Sequence, residues 1–154
     1  MSSLRRLFIV AGLTAVSAGQ LEAEKKYGPG VTDTEIKIGQ TMPYSGPASS
    51  FSLLGKAEAA YFAKVNDEGG INGRRINLIS LDDGYSPPKT VEQTRRLVEQ
   101  EEVLLIFGSV GSAGASAVRK FMNANKVPHL FLATVASKWD DPQHYPWTLA
   151  VMAQ

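Results

Sequence analysis

Val103-Leu104-Leu105-Ile106-Phe107 runs directly into Gly108-Ser109-Val110-Gly111-Ser112-Ala113-Gly114. Five apolar residues without polar alternation suit a strand covered on both faces, the usual condition of a parallel sheet. The glycine- and serine-rich turn that follows leads into a helical pattern at 115–124. Strand, tight turn and helix together form one βα unit.

The same unit repeats on either side. Toward the N-terminus, Ser86-Pro87 opens a helix, because proline suits the first helical turn. Val91, Thr94, Leu97 and Val98 give it an apolar face. Before it, residues 76–81 read as a strand that ends at Asp82-Asp83-Gly84. An earlier helix, 53–65, carries Leu54, Ala57, Tyr61 and Val65 at spacings expected of a core-facing stripe. Gly69-Gly70 stops it and Asn72-Gly73 makes a tight turn. A first strand occupies 36–42, followed by a turn-rich loop at 43–50. Beyond the opening segment, 127–132 reads as a fourth strand, 133–141 as a loop and 145–152 as a fifth strand. Alternation with short connections predicts an α/β fold with a doubly wound parallel sheet and right-handed crossovers.

The chain has 154 residues, 44% of them hydrophobic, which is the size and composition of one domain with a real core. No apolar run reaches the ~18–20 residues of a membrane span. Cysteine is absent and only His129 and His144 are present, so disulfides, thiol catalysis and thiolate or His-rich metal sites are excluded. Sixteen basic and 15 acidic residues give +1. That balance argues against a nucleic-acid partner, which would require a basic stripe. The pairs Arg74-Arg75 and Arg95-Arg96 read as solvated surface.

Residues 1–18 read as a secretory signal peptide. Arg5 and Arg6 form the positive region, 7–16 the apolar core, and Val16-Ser17-Ala18 the small-residue cleavage site. Residues 19–34 are expected to be an extended lead-in and 35–154 the folded unit. Without Arg5 and Arg6 the balance becomes 14 basic against 15 acidic, or −1.

In an open parallel sheet, ligands sit beyond the carboxyl ends of the strands. The loops there are 43–51, 82–86, 108–112 and 133–139. They are rich in hydroxyls and backbone amides and poor in acid–base pairs. Ser112 is expected to cap the helix after the glycine turn. The free amides and helix dipole there would hold an anion such as a carboxylate. Asp82-Asp83 reads as a turn anchor rather than a metal or ribose ligand. Tyr44 and Phe51 flank the first loop and are open to either a ligand or a core role, as are Trp139 and Trp147. His129 reads as structural. GxGxxG, GxSxG and Walker A patterns are all missing. A hydrolase using Ser112 would need a neighbouring His or acid, and none is evident. The reading is therefore not an enzyme, and it calls for no cofactor.

The stretch 36–47, Ile-Lys-Ile-Gly-Gln-Thr-Met-Pro-Tyr-Ser-Gly-Pro, resembles the opening of the periplasmic substrate-binding proteins of ABC importers, in the leucine/isoleucine/valine-binding branch. Asn66-Asp-Glu-Gly-Gly-Ile-Asn-Gly73, Asp82-Asp83-Gly84-Tyr85-Ser86-Pro87, the serine loop 107–113, and Val127-Pro128 with 133–137 match further motifs in order. The resemblance implies a type I N-terminal lobe that binds rather than catalyses. Ser112 would bind a ligand carboxylate, with amides from Gly111 and Ala113. Ala133 and Thr134, with Ala136 as a neighbouring register, would supply a carbonyl and a hydroxyl. Phe51 would form the apolar wall. A small amino acid or aromatic or aliphatic carboxylate, and a membrane ABC permease, are the implied partners, in the periplasm. The resemblance also implies that residues 35–154 hold one lobe of a two-lobed protein, with self-association through exposed lobe edges. The alternative is an extracellular ligand-sensing module.

Overall fold

The structure, a computed structural model, describes residues 27–139 and 141–151. The expected leader at 1–18 and the lead-in before Tyr27 lie outside these residues. Five strands and three main helices alternate: β1 (Glu35–Met42), α1 (Ser52–Asp67), β2 (Arg75–Asp82), α2 (Pro87–Arg95), β3 (Leu105–Phe107), α3 (Ser112–Ala124), β4 (His129–Leu132) and β5 (Thr148–Ala150). The strands form one parallel sheet in the order β2-β1-β3-β4-β5. This is the expected doubly wound topology.

Helices α2 and α3 cover one face of the sheet. Leu97, Val103, Ile106, Val118 and Met122 form the core there, with Ile79 and Leu81 of β2 against them. A second cluster, Ala115, Leu132 and Trp139, extends it toward the C-terminal loop. The buried Arg119 of α3 clamps that loop. It donates to the Lys138 carbonyl (2.9 Å) and lies over the rings of Tyr145 (3.7 Å) and Trp139 (4.9 Å). A desolvated cation–π contact is worth up to ~2 kcal/mol. Arg74 is likewise engaged rather than simply solvated, donating to the Thr32 carbonyl and the Tyr27 hydroxyl.

The other face is built differently. α1 sits over β2 and β1 through Gly55, its one buried residue, where a Cβ would approach the Tyr44 hydroxyl to 2.6 Å and Met42 Cγ to 2.9 Å. Beneath it runs a chain of polar side chains. Ser80 Oγ donates to Gln40 Oε1 (2.7 Å), so Tyr44 donates to Ser80 (2.7 Å). Gln40 Nε2 in turn donates to Glu58, whose carboxyl is pushed above its usual range by burial. The expected core stripe of α1 is therefore corrected. Leu54 and Tyr61 are 43% and 62% exposed, Ala57 is exposed, and Val65 is only half-buried. The sheet-facing positions are Gly55, Glu58 and Phe62. They keep the helical spacing, but two of the three are small or polar, so apolar periodicity points to the wrong face.

The opening apolar run also needs correction. Only 105–107 form a strand, and it is fully covered on the α2–α3 side and partly covered by α1 on the other: Ile106 is buried, while Leu105 and Phe107 are half-buried. Phe107 packs edge-on between Phe62 (5.3 Å) and Phe131 (5.5 Å). The fourth and fifth strands are shorter than expected, and a bulge between Leu130 and Leu132 places Phe131 at φ +57°.

Candidate functional site

The turns after β1, β2, β3 and β4 converge at the carboxyl end of the sheet. The ladder continues past β3 and β4 through a Val110–Ala133 bridge. The Ala133 amide donates to the Ser109 carbonyl (2.9 Å) and the Gly111 amide to the Ala133 carbonyl (3.2 Å). Ser109 is itself braced from below by the buried Thr41 hydroxyl (3.1 Å). This pairing draws together two loops that are 22 residues apart at Ser112 and Thr134.

A cleft of about 280 Å³ opens there. Of the expected site residues, Phe51, Gly111, Ser112, Ala133 and Thr134 line it. Ala113 does not; its side chain is exposed on the first turn of α3. Ala136 packs instead against the Ala115–Leu132–Trp139 cluster. Leu54, Tyr85, Val110 and Val135 complete the lining. Sequence reasoning assigned Leu54 to the core and gave Tyr85 no role of its own.

Gly111, not Ser112, is the N-cap of α3, with φ +101°, and no side chain caps the helix. The amides of the first turn have no carbonyl one turn earlier to accept them, and the helix dipole adds partial positive charge. Ser112 is freed for another task. Its hydroxyl is hydrogen-bonded to that of Thr134. The Ala136 amide donates to Thr134 Oγ1 (3.4 Å). Either hydroxyl can donate to the other, and where Thr134 donates to Ser112 the Ser112 proton is left for the cleft. Proton, amides and dipole all favour an anion at this end. The remaining walls are apolar.

Tyr85 reaches the cleft through an unusual backbone, φ +60°, in the left-handed region that side-chain-bearing residues rarely adopt. Asp83 holds it there: Oδ1 accepts from the Tyr85 amide (2.9 Å) and Oδ2 from Thr90 Oγ1 (2.8 Å). Gly111 leaves room for the ring, since a Cβ would stand 2.5 Å from Tyr85 Cε2. Asp82 accepts from the Ser45 amide and hydroxyl, the Gly84 amide and Lys89 Nζ. The Ser45 hydroxyl leads in holding its carboxyl well below the usual range, with Lys89 and the two amides adding to it. Both acids thus serve as turn anchors.

Tyr44 is placed under α1 rather than in the cleft. Trp139 is buried core, and His144 pairs with Asp141 (2.8 Å) on an exposed turn. Among the described residues, no charged side chain lines the cleft. Among the described residues, no three His, Asp or Glu side chains gather as a metal site would require.

Residues 35–151 match a family described as periplasmic binding protein. The chain is 32% identical over 133 residues to Leu/Ile/Val-binding protein homolog 7 of Brucella abortus, covering 84% of this chain and 31% of that relative. A fatty acid ABC transporter substrate-binding protein from Thermomonospora curvata superposes with a TM-score of 0.64 at 32% identity, over 73% of this chain and 28% of that one. A possible leucine/isoleucine/valine-binding protein from Rhodopirellula baltica gives 0.68 at 27% identity, over 73% and 31%. This chain therefore spans about a third of the length of these relatives. With motifs, sheet order and comparisons in agreement, the chain belongs to the periplasmic binding protein family, in its leucine/isoleucine/valine-binding branch.

Proposed function

We propose that this chain forms one wall of an extracytoplasmic solute-binding site for branched-chain amino acids or related carboxylates, serving an ABC importer. The observation that carries the reading is the N-terminus of α3 opening into an apolar cleft beside the Ser112–Thr134 hydroxyl pair. In this reading the carboxylate sits on the first-turn amides and Ser112. Its tail lies against Phe51, Leu54, Tyr85 and Val135. The absence of charge from the lining matches a ligand whose other end is apolar. The charged and apolar order at 5–16 supports export, which places the site in the periplasm and makes a membrane permease the partner. Binding, not catalysis, suits a serine whose hydroxyl is engaged by threonine rather than by a base.

The test is a thermal-shift series with leucine, 4-methylpentanoate and 3-methylbutylamine. The two carboxylates should raise the melting temperature and the amine should not. In a cleft open to water a hydrogen bond is worth ~0.5–1.5 kcal/mol net, so Ser112→Ala should weaken binding roughly 2- to 10-fold. An equal response to the amine, or an unchanged response in Ser112→Ala, would overturn the reading.

A further inference from the structure

Gly108, Gly111 and Gly114 each leave room for a side chain from another element. A Cβ on Gly108 would stand 2.6 Å from Glu58 Oε1, one on Gly111 2.5 Å from Tyr85 Cε2, and one on Gly114 2.6 Å from Thr90 Oγ1. The segment 83–90 is thus keyed to the start of α3 at two points about one helical turn apart. Asp83, 2% exposed, ties those points together by accepting from the Tyr85 amide and from Thr90 Oγ1. This bracket fixes Tyr85 in the left-handed region, where glycine, asparagine and aspartate are the usual occupants. A tyrosine stands there instead, 42% exposed and lining the cleft. Its hydroxyl lies 3.0 Å from the position a Gly111 Cβ would take, at the N-cap of α3. Among the described residues that hydroxyl has no hydrogen-bond partner.

We infer that Tyr85 sets the specificity of the cleft, its phenol donating to the ligand's anionic head beside Ser112 while its ring bounds the tail. The inference rests on the reading of the cleft as a carboxylate site. A carboxylate offers about four lone-pair positions, so a phenol adds to the Ser112 hydroxyl and the first-turn amides rather than duplicating them. A phenol is a more acidic donor than an aliphatic hydroxyl, and hydrogen bonds to an ionised acceptor are the stronger kind. The Asp83 bracket and the Gly111 seat hold the ring in place before any ligand arrives, so little ordering is left to binding. The ligand class that fits is a monocarboxylate with an apolar tail, in preference to an amine or alcohol of the same shape.

Titration of the full chain with 4-methylpentanoate, followed by NMR with tyrosine labelled at Cζ, tests this. Tyr85→Phe keeps the ring and should weaken binding roughly 2- to 10-fold at an unchanged melting temperature. The Tyr85 Cζ signal, recognised by its absence from that variant, should move during the titration and saturate together with the backbone amides of 112–114. A ring that only packs within its turn would leave Cζ still, because that carbon reports on its own hydroxyl. Ser112→Ala separates the two readings. Weakened binding in Ser112→Ala with unchanged binding in Tyr85→Phe, or a Cζ signal that does not move, overturns the role of Tyr85 and leaves the carboxylate site standing. A wild-type chain that fails to bind 4-methylpentanoate overturns both.

Discussion

His129 shows how much one side chain can bias this protein against acid. It is fully buried on β4, and among the described residues neither ring nitrogen has a partner. Burial alone pushes its pKa down to about 4. The folded state therefore holds the neutral ring, while the unfolded chain takes up a proton below ~6.5. The resulting stability is full above pH 6.5 and is lost as pH falls through the folded value near 4. A shift of this size corresponds to about 3 kcal/mol. Glu58 has the opposite sign, because its raised carboxyl pKa favours the fold as pH falls. The difference between wild type and His129→Leu isolates the histidine. The variant should match wild type at pH 7 within ~1 kcal/mol, since no hydrogen bond is lost. Its denaturation midpoint should fall less between pH 6.5 and 4.5. Parallel curves would show that His129 is not the group responsible.

Among the elements, α1 departs furthest from its sequence pattern. Its Leu54–Ala57–Tyr61–Val65 stripe has the correct period but lies along the flank beside the cleft and the open sheet face. The helix is seated by an absence, the missing Cβ of Gly55, and by polar groups tied to Gln40. Gly55→Val should cost about 1–3 kcal/mol in urea denaturation, because it forces the helix off Tyr44 and Met42. Leu54→Ser should stay within ~0.5 kcal/mol, as for other surface changes, while weakening ligand binding. The reverse ranking would mean that the stripe is buried after all. By contrast, α2 opens at Ser86-Pro87 and buries Thr94, and the π-helical turn that continues it, Arg96–Gln100, buries Leu97, as the pattern predicts, because both the start signal and the apolar face are local.

For the whole molecule, the cleft lies open at the carboxyl end of the sheet. Its hydrogen bonds face water, where each is worth only ~0.5–1.5 kcal/mol net. Calorimetry of the chain with leucine should give a dissociation constant near millimolar. Submicromolar binding would mean that this wall alone suffices. In the relatives' size class, with this chain spanning 31% of the first, a facing wall that excludes water would raise the value of each contact.

The alternation of strands and helices, the parallel sheet, the Gly69-Gly70 stop, the Asn72-Gly73 turn and the placement of Ser112 beside Gly111 were all legible in the sequence. Each rests on residues close along the chain, where period, proline and glycine act directly. Tertiary structure alone decided which face of α1 meets the sheet, that Gly111 rather than Ser112 caps α3, and that Arg119 is buried between two rings. It also decided that Tyr85 enters the cleft. These outcomes depend on what stands opposite: Met42 under Gly55, Thr134 against Ser112, Tyr145 over Arg119, and Gly111 making room for a ring 26 residues earlier. A residue's own character does not reveal its neighbour across the sheet, and there the competition between burial, space and hydrogen bonding is settled.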